Sequence, residues 1–399
     1  ALQLAHTAKA RALALLNSAE LMILRAAAGP EAIALLEDAL VQARAWPHPV
    51  IEAMILHRLA NAHFLSGRLG ASRQVMQQTL QAYSALGDVA GMAAMLVNLG
   101  ALSLTLLEDV HEIRRYVEQA LELQEAAGNR QIETIGRINL SAVYLIEGEY
   151  LQALEQAAAA LALASNLRHR RFQALAFDCL GQVYATLGDL ASAEAHCGES
   201  LARARLSGHT GQQAEALRGM ADLRLRAGDH EAARQLAQEL HSLAADSLPP
   251  RFVGDAWRLL GHVHTARQDL ASAAAAYQQA VQAYDASTHR YLQMESLAGL
   301  AEVALAEDRL ADAQGYVERI FAWWQPARLA ANQQPERIYL AVYRVLQASN
   351  DPRAVDVLRQ AQAFLQERAA RLPDAAMRQR YLEATGHRQE IIRLAQSMR

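Results

Sequence analysis

The 399-residue sequence is poor in cysteine, lysine, proline and aromatic residues. Its two cysteines, Cys179 and Cys197, are too few for a disulfide framework and fit a reducing compartment, so we expect a cytoplasmic protein. Lysine occurs only at Lys9, which we interpret as the arginine bias of a GC-rich genome. The sequence begins at Ala1 without an initiator methionine or a signal-peptide pattern, and we expect it to be a piece of a longer protein.

Several kinds of functional site are also missing from the sequence. The formal net charge is −4 and the isoelectric point is near 6.4, so no basic face indicates direct contact with nucleic acid. No apolar run approaches the roughly 20 residues that span a bilayer, and we expect no membrane contact. No Gly-x-x-x-x-Gly-Lys-Ser/Thr phosphate loop and no His-Glu-x-x-His or Cys-x-x-Cys metal motif occurs. We therefore predict no catalytic activity, no cofactor and no metal.

Small helix-forming residues dominate what is present. Hydrophobic residues make up 52% of the sequence and aromatic residues only 6%, because alanine and leucine supply most of the apolar content. The prolines lie between periodic segments, and no useful stretch alternates apolar and polar residues as a strand would. The sequence therefore predicts an all-α protein.

A short pattern repeats along the chain. It consists of a leucine-type residue, a small residue, a glycine eight places after the leucine, an acid, and an alanine five places beyond the glycine. The cleanest copy runs from Leu180 to Ala193. The leucine-type position recurs every 40 or 41 residues, at Leu59, Leu99, Leu140, Leu180, Met220, Leu260, Leu300 and Leu340. Such a period indicates a stack of identical supersecondary units.

Each position of the pattern has a structural reason. The small residue after the leucine, such as Gly181 or Gly261, lets the first helix of a unit approach its neighbour closely. The next glycine, such as Gly188, accepts the left-handed conformation that ends a helix. The acid that follows it, such as Asp189, caps the second helix. Each unit is thus predicted to be a helical hairpin that buries its faces by stacking.

The Leu-Gly-x-x-Tyr…Gly-Asp…Ala order of this pattern resembles the tetratricopeptide repeat, and the resemblance covers nearly the whole chain. It implies a right-handed α-solenoid of about nine antiparallel helix hairpins, counting an early copy with its key residue at Leu21 and its turn at Gly29. Residues 1–373 would form the superhelix and residues 374–399 a C-terminal capping helical tail. HEAT repeats share the period but lack the Gly-Asp turn.

The period exceeds the roughly 34 residues of the usual tetratricopeptide repeat. The longer period resembles that of kinesin light chains, of peptide-sensing bacterial regulators, and of the sensor arrays of bacterial STAND-type (MalT-like) transcriptional regulators. Three copies also depart from the pattern, because Leu107-Glu108, Gln268-Asp269 and Asp308-Arg309 replace the Gly-Asp pair. We expect these helices to end irregularly.

The resemblance places the candidate binding site on the concave face. In tetratricopeptide superhelices the first helix of each hairpin lines this face, and the positions two before and two after the key leucine point into the groove. The candidate ligand-binding residues at or beside these positions are His57, Asn61, Asn98, Asn139, Asp178, Gln182, Arg218, Asp222, Arg258 and His262. Asn98 and Asn139 resemble the asparagines that hold an extended peptide backbone in kinesin light chains and peptide sensors.

The charged candidates have a second interpretation. Asp178, Arg218, Asp222 and Arg258 bring opposite charges to adjacent helices, which is equally expected of an inter-helix ion-pair ladder without a ligand. The pair Trp323-Trp324, with one ring expected to be exposed or covered by the next hairpin, either packs against the ninth hairpin or contacts a partner. The arginine-rich tail is either a solvated capping helix or a feature similar to the C-terminal ends of bacterial multidomain regulators.

These observations favour a non-catalytic ligand-binding or protein-binding array. The leading hypothesis is the sensor or regulatory domain of a larger bacterial signalling or transcription regulator. Its expected partner is a protein or peptide segment, or a small-molecule effector. The alternatives are a constitutive protein–protein interaction scaffold, with self-association as one form, and a peptide-pheromone receptor domain.

Overall fold

The structure, a computed structural model, describes residues 2–25, 30–45, 48–107, 109–245, 248–287 and 289–397. Within these ranges every regular element is a helix, which confirms the all-α prediction. The chain divides into two compact units, Ala1–Asn139 (unit 1) and Leu140–Arg399 (unit 2). The boundary falls inside a helix, Arg130–Glu147.

Unit 1 is a series of helices, namely α1 (Leu2–Arg25), α2 (Pro30–Ala45), α3 (Pro49–Leu65), α4 (Leu69–Leu86), α5 (Val89–Leu106), α6 (Val110–Ala127) and the first part of α7 (Arg130–Glu147). From α1 to α6 each helix packs on the next, and Ile132 and Ile135 of α7 pack against the cluster that includes Ala120 of α6. The key leucines Leu59 and Leu99 are buried in the apolar clusters between these helices, as the repeat pattern predicts.

Helix α5 has a composition that the sequence analysis overlooked. Its 18 residues have a mean hydropathy of 1.8, which by length and composition alone would suit a membrane span. In the structure α5 packs between α4 and α6, and Met95, Leu99 and Leu102 are buried in the cluster shared with α3 and α4. Because core helices of globular proteins meet the same criterion, this single helix is a weak indication of a membrane.

Unit 2 continues the same construction. Its helices are α8 (Tyr150–Asn166), α9 (Arg170–Leu187), α10 (Leu190–Ser207), α11 (Thr210–Arg226), α12 (His230–Ala244), α13 (Pro250–Ala266), α14 (Leu270–Asp285), α15 (Gln293–Ala306), α16 (Leu310–Phe321), α17 (Pro326–Ala330), α18 (Pro335–Ala348), α19 (Arg353–Ala370), α20 (Ala375–Glu383) and α21 (Gly386–Ser397). Each hairpin partner packs on the next, and α9, α11, α13, α15 and α18 also contact one another in that order. These five helices form one layer, which we call the inner layer.

The Gly-Asp turns have the predicted geometry. Gly188 has φ +79°, and its N–H donates to the carbonyl of Ala185 at 3.2 Å. The Asp189 side chain accepts from the backbone N–H of Ser192 at 3.1 Å, which caps α10. The roles assigned to the glycine and to the acid are therefore confirmed at this hairpin.

The turns without glycine are as regular as those with it, so the expectation of irregular helix ends is wrong. Leu107, Gln268 and Asp308 adopt φ of +47°, +61° and +57°, the same left-handed region that glycine occupies elsewhere. The stacking of the hairpins thus imposes the turn on a residue that disfavours it by about 1 kcal/mol. Glu108 lies outside the described residues, as does Gly29 of the first copy.

The small residues of the inner layer allow close helix contacts. A Cβ atom at Gly261 of α13 would lie 2.4 Å from the ring of Tyr277 on α14, and a Cβ at Gly299 of α15 would lie 2.4 Å from the same ring. Real Cβ atoms do not approach this closely, so both positions require glycine while Tyr277 fills the space between the helices. This confirms the predicted role of the small position in this hairpin.

The two adjacent tryptophans lie in the turn after α16, which ends at Phe321. The Trp324 indole N–H donates to the side-chain oxygen of Gln360 at 2.9 Å, and its ring meets Tyr339 edge-on with 5.2 Å between centroids. Trp323 lies under the guanidinium of Arg328, 5.2 Å from the ring centroid. Trp324 therefore packs against the last hairpin, α18 and α19, as one of the two interpretations predicted.

The C-terminal tail, for which one interpretation was a solvated helix, is folded back onto unit 2. Helix α20 packs against α9, and α21 packs against α18 and α19. Tyr381, Ile391 and Arg388 of the tail are buried, with exposed fractions of 0%, 0% and 3%.

Candidate functional site

The candidate asparagines of unit 1 contact each other and the backbone. Asn98 on α5 donates through Nδ2 to Oδ1 of Asn61 on α3 at 3.0 Å. Asn139 on α7 donates through Nδ2 to the carbonyl oxygen of Val97 at 3.4 Å. Since a side-chain amide has two donor hydrogens and two acceptor lone pairs, each asparagine keeps capacity for a further hydrogen bond.

His57 on α3 belongs to a hydrogen bond with a buried tyrosine. Its Nδ1 lies 3.0 Å from the hydroxyl of Tyr83 on α4. Burial, reinforced by the nearby Arg58, lowers the pKa of His57 to about 4, so its ring is neutral at physiological pH. His57 therefore contributes a neutral ring to the packing between α3 and α4.

The candidates of unit 2 lie together on the inner layer. Five of them have exposed fractions of 8% or less, namely Asp178, Arg218, Asp222, Arg258 and His262. The half-buried Gln182 donates to Asp178 Oδ2 at 2.6 Å on the same helix, α9. The candidates chosen from the sequence therefore meet in the structure, but their burial was not predicted.

Arg258 on α13 is the most enclosed charge of this group, with 2% exposed. It donates from Nη1 and Nη2 to the two carboxylate oxygens of Asp222 on α11, at 3.2 and 3.0 Å. On its other side Nη1 lies 2.9 Å from Oε2 of Glu295 on α15. Burial alone would lower the pKa of Arg258, but these two acids hold that pKa well above its ordinary value. Ion pairing between neighbouring inner helices is thus present at this position.

Arg218 on α11 has a similar set of acids around it. Its Nε donates to Glu215 Oε2 at 3.1 Å, and its Nη1 lies 3.9 Å from Asp222 Oδ2. Arg251 on α13 also pairs with Glu215. Although burial would raise the pKa of Glu215, the two guanidinium groups lower it to about 2, so this carboxylate is ionised at any physiological pH.

Two carboxylates of the layer are in the opposite situation. Burial raises the pKa of Asp178 to about 6 against the attraction of Arg218, and burial also raises the pKa of Asp255. The Tyr284 hydroxyl donates to Asp255 Oδ1 at 2.8 Å. Within the described part of the chain, Asp178 Oδ1, Asp255 Oδ2 and Glu295 Oε1 are buried without a hydrogen-bond partner. Gln212 Oε1 and Glu336 Oε2 of the inner layer are also buried without a partner, and so are two donors of this layer, Arg218 Nη1 and Arg337 Nε.

The contacts continue toward the C-terminal end of the unit. His262 Nδ1 lies 2.8 Å from the Tyr277 hydroxyl and is contacted by Arg337 Nη1, while Arg337 Nη2 donates to the Tyr277 hydroxyl at 3.0 Å. The same Arg337 nitrogen donates to Glu302 Oε2 at 3.0 Å. We call the connected charged groups of this layer the polar network: Asp178, Glu215, Asp222, Asp255, Glu295, Glu302, Arg218, Arg251, Arg258 and Arg337.

Sequence reasoning missed about half of this network. Glu215, Asp255 and Glu295 lie five residues before the key leucine-type position, so an acid recurs there every 40 residues. This regular recurrence is a signal that was present in the sequence and was not used. Arg337 lies three residues before the key position, where one other hairpin has an arginine, Arg137. Its participation depends on how α18 packs on α15.

Comparison with known proteins identifies the repeat type and the fold. Residues 172–246 match the family described as tetratricopeptide repeat. A search of curated protein sequences finds no match.

Three solved structures show the fold similarity. The apo quorum sensor NprR from B. thuringiensis aligns with a TM-score of 0.58 and 17% identity, over 78% of this chain and 87% of NprR. A Rap protein complexed with competence and sporulation factor aligns with a TM-score of 0.53 and 10% identity, over 88% of this chain and 98% of that one. The APC/C hetero-tetramer Cut9–Hcn1 gives 0.55 and 17%, over 87% of this chain and 55% of that one. The fold of this protein is therefore of the tetratricopeptide-repeat type.

Proposed function

We propose that this chain is a non-catalytic array that binds a peptide or protein segment on the inner layer of unit 2. The observation that carries the proposal is the polar network, with its three partnerless carboxylate oxygens. In this proposal the array is the cytoplasmic sensor domain of a larger bacterial regulator, of the STAND-type (MalT-like) class suggested by the 40-residue period.

The energetics of the polar network support a role beyond stability. Removing charges from water is costly, and replacing a buried ion pair by apolar residues of similar volume often leaves a protein equally or more stable. Each buried acceptor without a donor adds a further penalty of about 1–3 kcal/mol. A stack of hairpins that needed only cohesion would be better served by apolar side chains. Such residues do fill the position five before the key leucine in the earlier hairpins, at Met54, Ala94, Ile135 and Leu175.

The charge balance indicates the chemistry of the ligand. The polar network contains six carboxylates and four guanidinium groups, and Arg344 of α18 places a fifth guanidinium on Glu302, so acids exceed guanidinium groups by one. Asp178, Asp255 and Glu295 are the acids with an unused oxygen. The partnerless network donors, Arg218 Nη1 and Arg337 Nε, do not reach these oxygens. A ligand with a guanidinium or ammonium group would donate to them and add positive charge. We therefore propose a peptide segment with a cationic side chain.

The similar structures are consistent with this class of ligand. The Rap protein was solved with competence and sporulation factor, and NprR is described as a quorum sensor. Their low sequence identity to this chain means that they support a peptide-binding fold and do not identify a ligand.

Two peptide arrays test the proposal. One contains decapeptides with one arginine each, and the other contains the same decapeptides with citrulline in place of arginine. Citrulline keeps the shape of arginine but has no charge. We expect the protein to bind a subset of the arginine peptides. It should bind the citrulline versions of those peptides with an affinity lower by about tenfold or more. The variant Asp178→Asn should lose this preference, while Asp356→Asn, at a position whose side chain is 70% exposed on α19, should keep it. Equal binding of arginine and citrulline peptides would contradict the proposal.

A constitutive scaffold is the second candidate, and the bidentate Arg258–Asp222 pair favours it. An inner layer already cross-linked by ion pairs is suited to holding one shape. Small-angle scattering of the protein with and without a bound peptide separates the two functions. A sensor should change its radius of gyration when the peptide binds, whereas a scaffold should keep it.

A further inference from the structure

The C-terminal part of the chain is attached to helix ends that precede it by about 200 positions. Arg368 donates from Nη2 to the carbonyl of Ile146 at 2.7 Å, and Arg388 donates from Nη1 to the carbonyl of Thr186 at 2.8 Å. Ile146 and Thr186 lie in the last turns of α7 and α9, where backbone carbonyls have no partner within the helix and carry partial negative charge. Arginines from the end of the chain therefore cap two helices of earlier hairpins.

A second group of contacts fixes the tail between those helix ends and α18. Arg388 Nε lies 3.1 Å from Oε1 of Glu336, and both side chains are buried. The hydroxyl of Tyr381 lies 3.3 Å from that of Tyr150 at the start of α8. Arg388 thus bridges α9 and α18 through opposite sides of one guanidinium.

The tail is also joined to the polar network. Arg344 on α18 donates to Glu302 of the network at 3.1 Å and to Glu390 of α21 at 2.7 Å. Burial, reinforced by the charge of Arg337, lowers the pKa of His387, one residue before Arg388. Helix α21 therefore lies beside the inner layer of unit 2, at the end where the network includes Arg337.

Few apolar contacts support this attachment. In the segment from Asp374 to Ser397, the buried side chains are Tyr381, Arg388, Ile391 and Ala395. The hairpin helices α13 and α15 bury about ten residues each. A segment with little buried apolar surface and mostly polar anchors opens at lower free energy than the core it rests on.

We propose that residues 374–397, the tail, form a releasable latch on unit 2. In the closed state the latch joins α18 to the end of α9 and the start of α8 and lies beside the polar network. In the open state this side of the inner layer is accessible. The latch is inferred from the tail contacts alone. Its consequence, control of peptide access to the polar network, rests on the proposed function.

Hydrogen exchange of the whole chain tests the latch without any ligand. Amides of α20 and α21 should exchange about tenfold faster than those of α13. Arg388→Gln should raise the exchange rate of the tail amides by about a further tenfold and leave the exchange rates of α13 unchanged. Arg393→Gln, at an exposed position on the same helix, should match the wild type. Tail amides that exchange at the rate of α13 in all three proteins would overturn the proposal, because the tail would then be a permanent part of the stack.

A disulfide that locks the latch tests its consequence. A Cβ at position 188 would lie 2.9 Å from the Cβ of Ala384, and the two Cβ atoms must separate to about 3.5–4.5 Å for a disulfide between Gly188→Cys and Ala384→Cys. Because residue 188 has φ +79° and its Cβ would lie 3.0 Å from the carbonyl oxygen of Arg380, cysteine strains this turn by roughly 1–2 kcal/mol, equally in the oxidised and reduced protein. We expect the oxidised double variant to bind the arginine decapeptides about tenfold more weakly than the same protein after reduction. The wild type, with its native Cys179 and Cys197, is treated identically as the control.

The outcomes separate the latch from the proposed function. If the peptides bind the wild type and bind the locked protein equally well, access control by the latch is wrong and the peptide site stands. If no peptide binds the reduced protein or the wild type, the proposed function fails, and the exchange rates of the tail alone decide whether the latch exists.

Discussion

Arg258 and Asp222, 36 positions apart on neighbouring helices of the inner layer, form two hydrogen bonds of 3.2 and 3.0 Å in the interior of unit 2. The same guanidinium lies 2.9 Å from Glu295 on the next helix, so one arginine neutralises acids on both sides. Three consecutive hairpins are therefore connected through a single side chain.

Loss of this arginine should be strongly destabilising. Arg258→Met keeps the volume but leaves Asp222 and Glu295 buried without their counter-charge, so we expect the free energy of unfolding to fall by about 3–5 kcal/mol. Arg359→Met is the matched control, because the Arg359–Asp356 pair has side chains that are 73% and 70% exposed. Such a pair contributes about 0–1 kcal/mol. Urea denaturation of both variants measures the difference. If Arg258→Met lowered the free energy of unfolding by less than about 1 kcal/mol, the ion pairs of Arg258 would not be important for stability.

Asp178 should make stability depend on pH in a direction opposite to that of most carboxylates. Its pKa is raised by burial from the ordinary 3.8 to about 6, so the folded state favours the protonated form. The resulting stabilisation is complete below pH 3.8 and is lost as the pH rises through 6. Asp178→Asn cannot ionise, and relative to the wild type it should gain up to about 3 kcal/mol between about pH 4 and pH 7.5. Urea titrations at both pH values test this, and a difference that does not change with pH would refute it.

Two glycine-to-alanine substitutions should have opposite effects on stability, because an added Cβ meets the Tyr277 ring at Gly299 and open space at Gly315. Gly299→Ala places a Cβ 2.4 Å from the Tyr277 ring, and the overpacking should lower the free energy of unfolding by about 1–3 kcal/mol. Gly315 lies within α16 with no atom within 4 Å of an added Cβ, so Gly315→Ala should stabilise by roughly 0.5–1 kcal/mol. Thermal unfolding of the two variants is sufficient, and a destabilised Gly315→Ala would show that helix propensity is not the deciding factor there.

The left-handed turn at Gln268 should accept glycine with a gain. Gln268 has φ +61°, where glycine has no steric penalty, so Gln268→Gly should raise the free energy of unfolding by about 1 kcal/mol. Ala266→Gly, two residues earlier and within α13, should lower it by a similar amount. If both glycines destabilise, flexibility of the unfolded chain outweighs the relief at Gln268.

The helices and turns could be predicted from the sequence more completely than the candidate site. The recurrence of Leu180 and its equivalents predicts the helices, and Gly188 predicts the turn, because both depend on residues within one hairpin. The left-handed φ of Gln268 was not predicted, since it is imposed by the packing of neighbouring hairpins on a residue that would avoid it. Period and local propensity contain no information about that constraint.

The candidate site was predicted in part for the same reason. Asp222 lies two residues after Met220 and Arg258 two residues before Leu260, and the repeat turns both of these positions toward the same face. The bridge from Arg388 to Thr186 joins positions 202 residues apart and depends on how the last helices return to the earlier ones. The arginine content of the tail was visible in the sequence, but the carbonyls that it caps were not.

The central claim is that the polar network is kept for recognition at the expense of stability. The variant Asp178→Asn with Asp255→Asn removes two of the acids with raised pKa and an unused oxygen. The deciding experiment measures two quantities of this variant at about pH 7.5 and compares them with the wild type. They are the melting temperature and the affinity for arginine decapeptides that bind the wild type. The account predicts that the melting temperature rises while the affinity falls about tenfold or more. An unchanged affinity, or a melting temperature that falls together with the affinity, would contradict it.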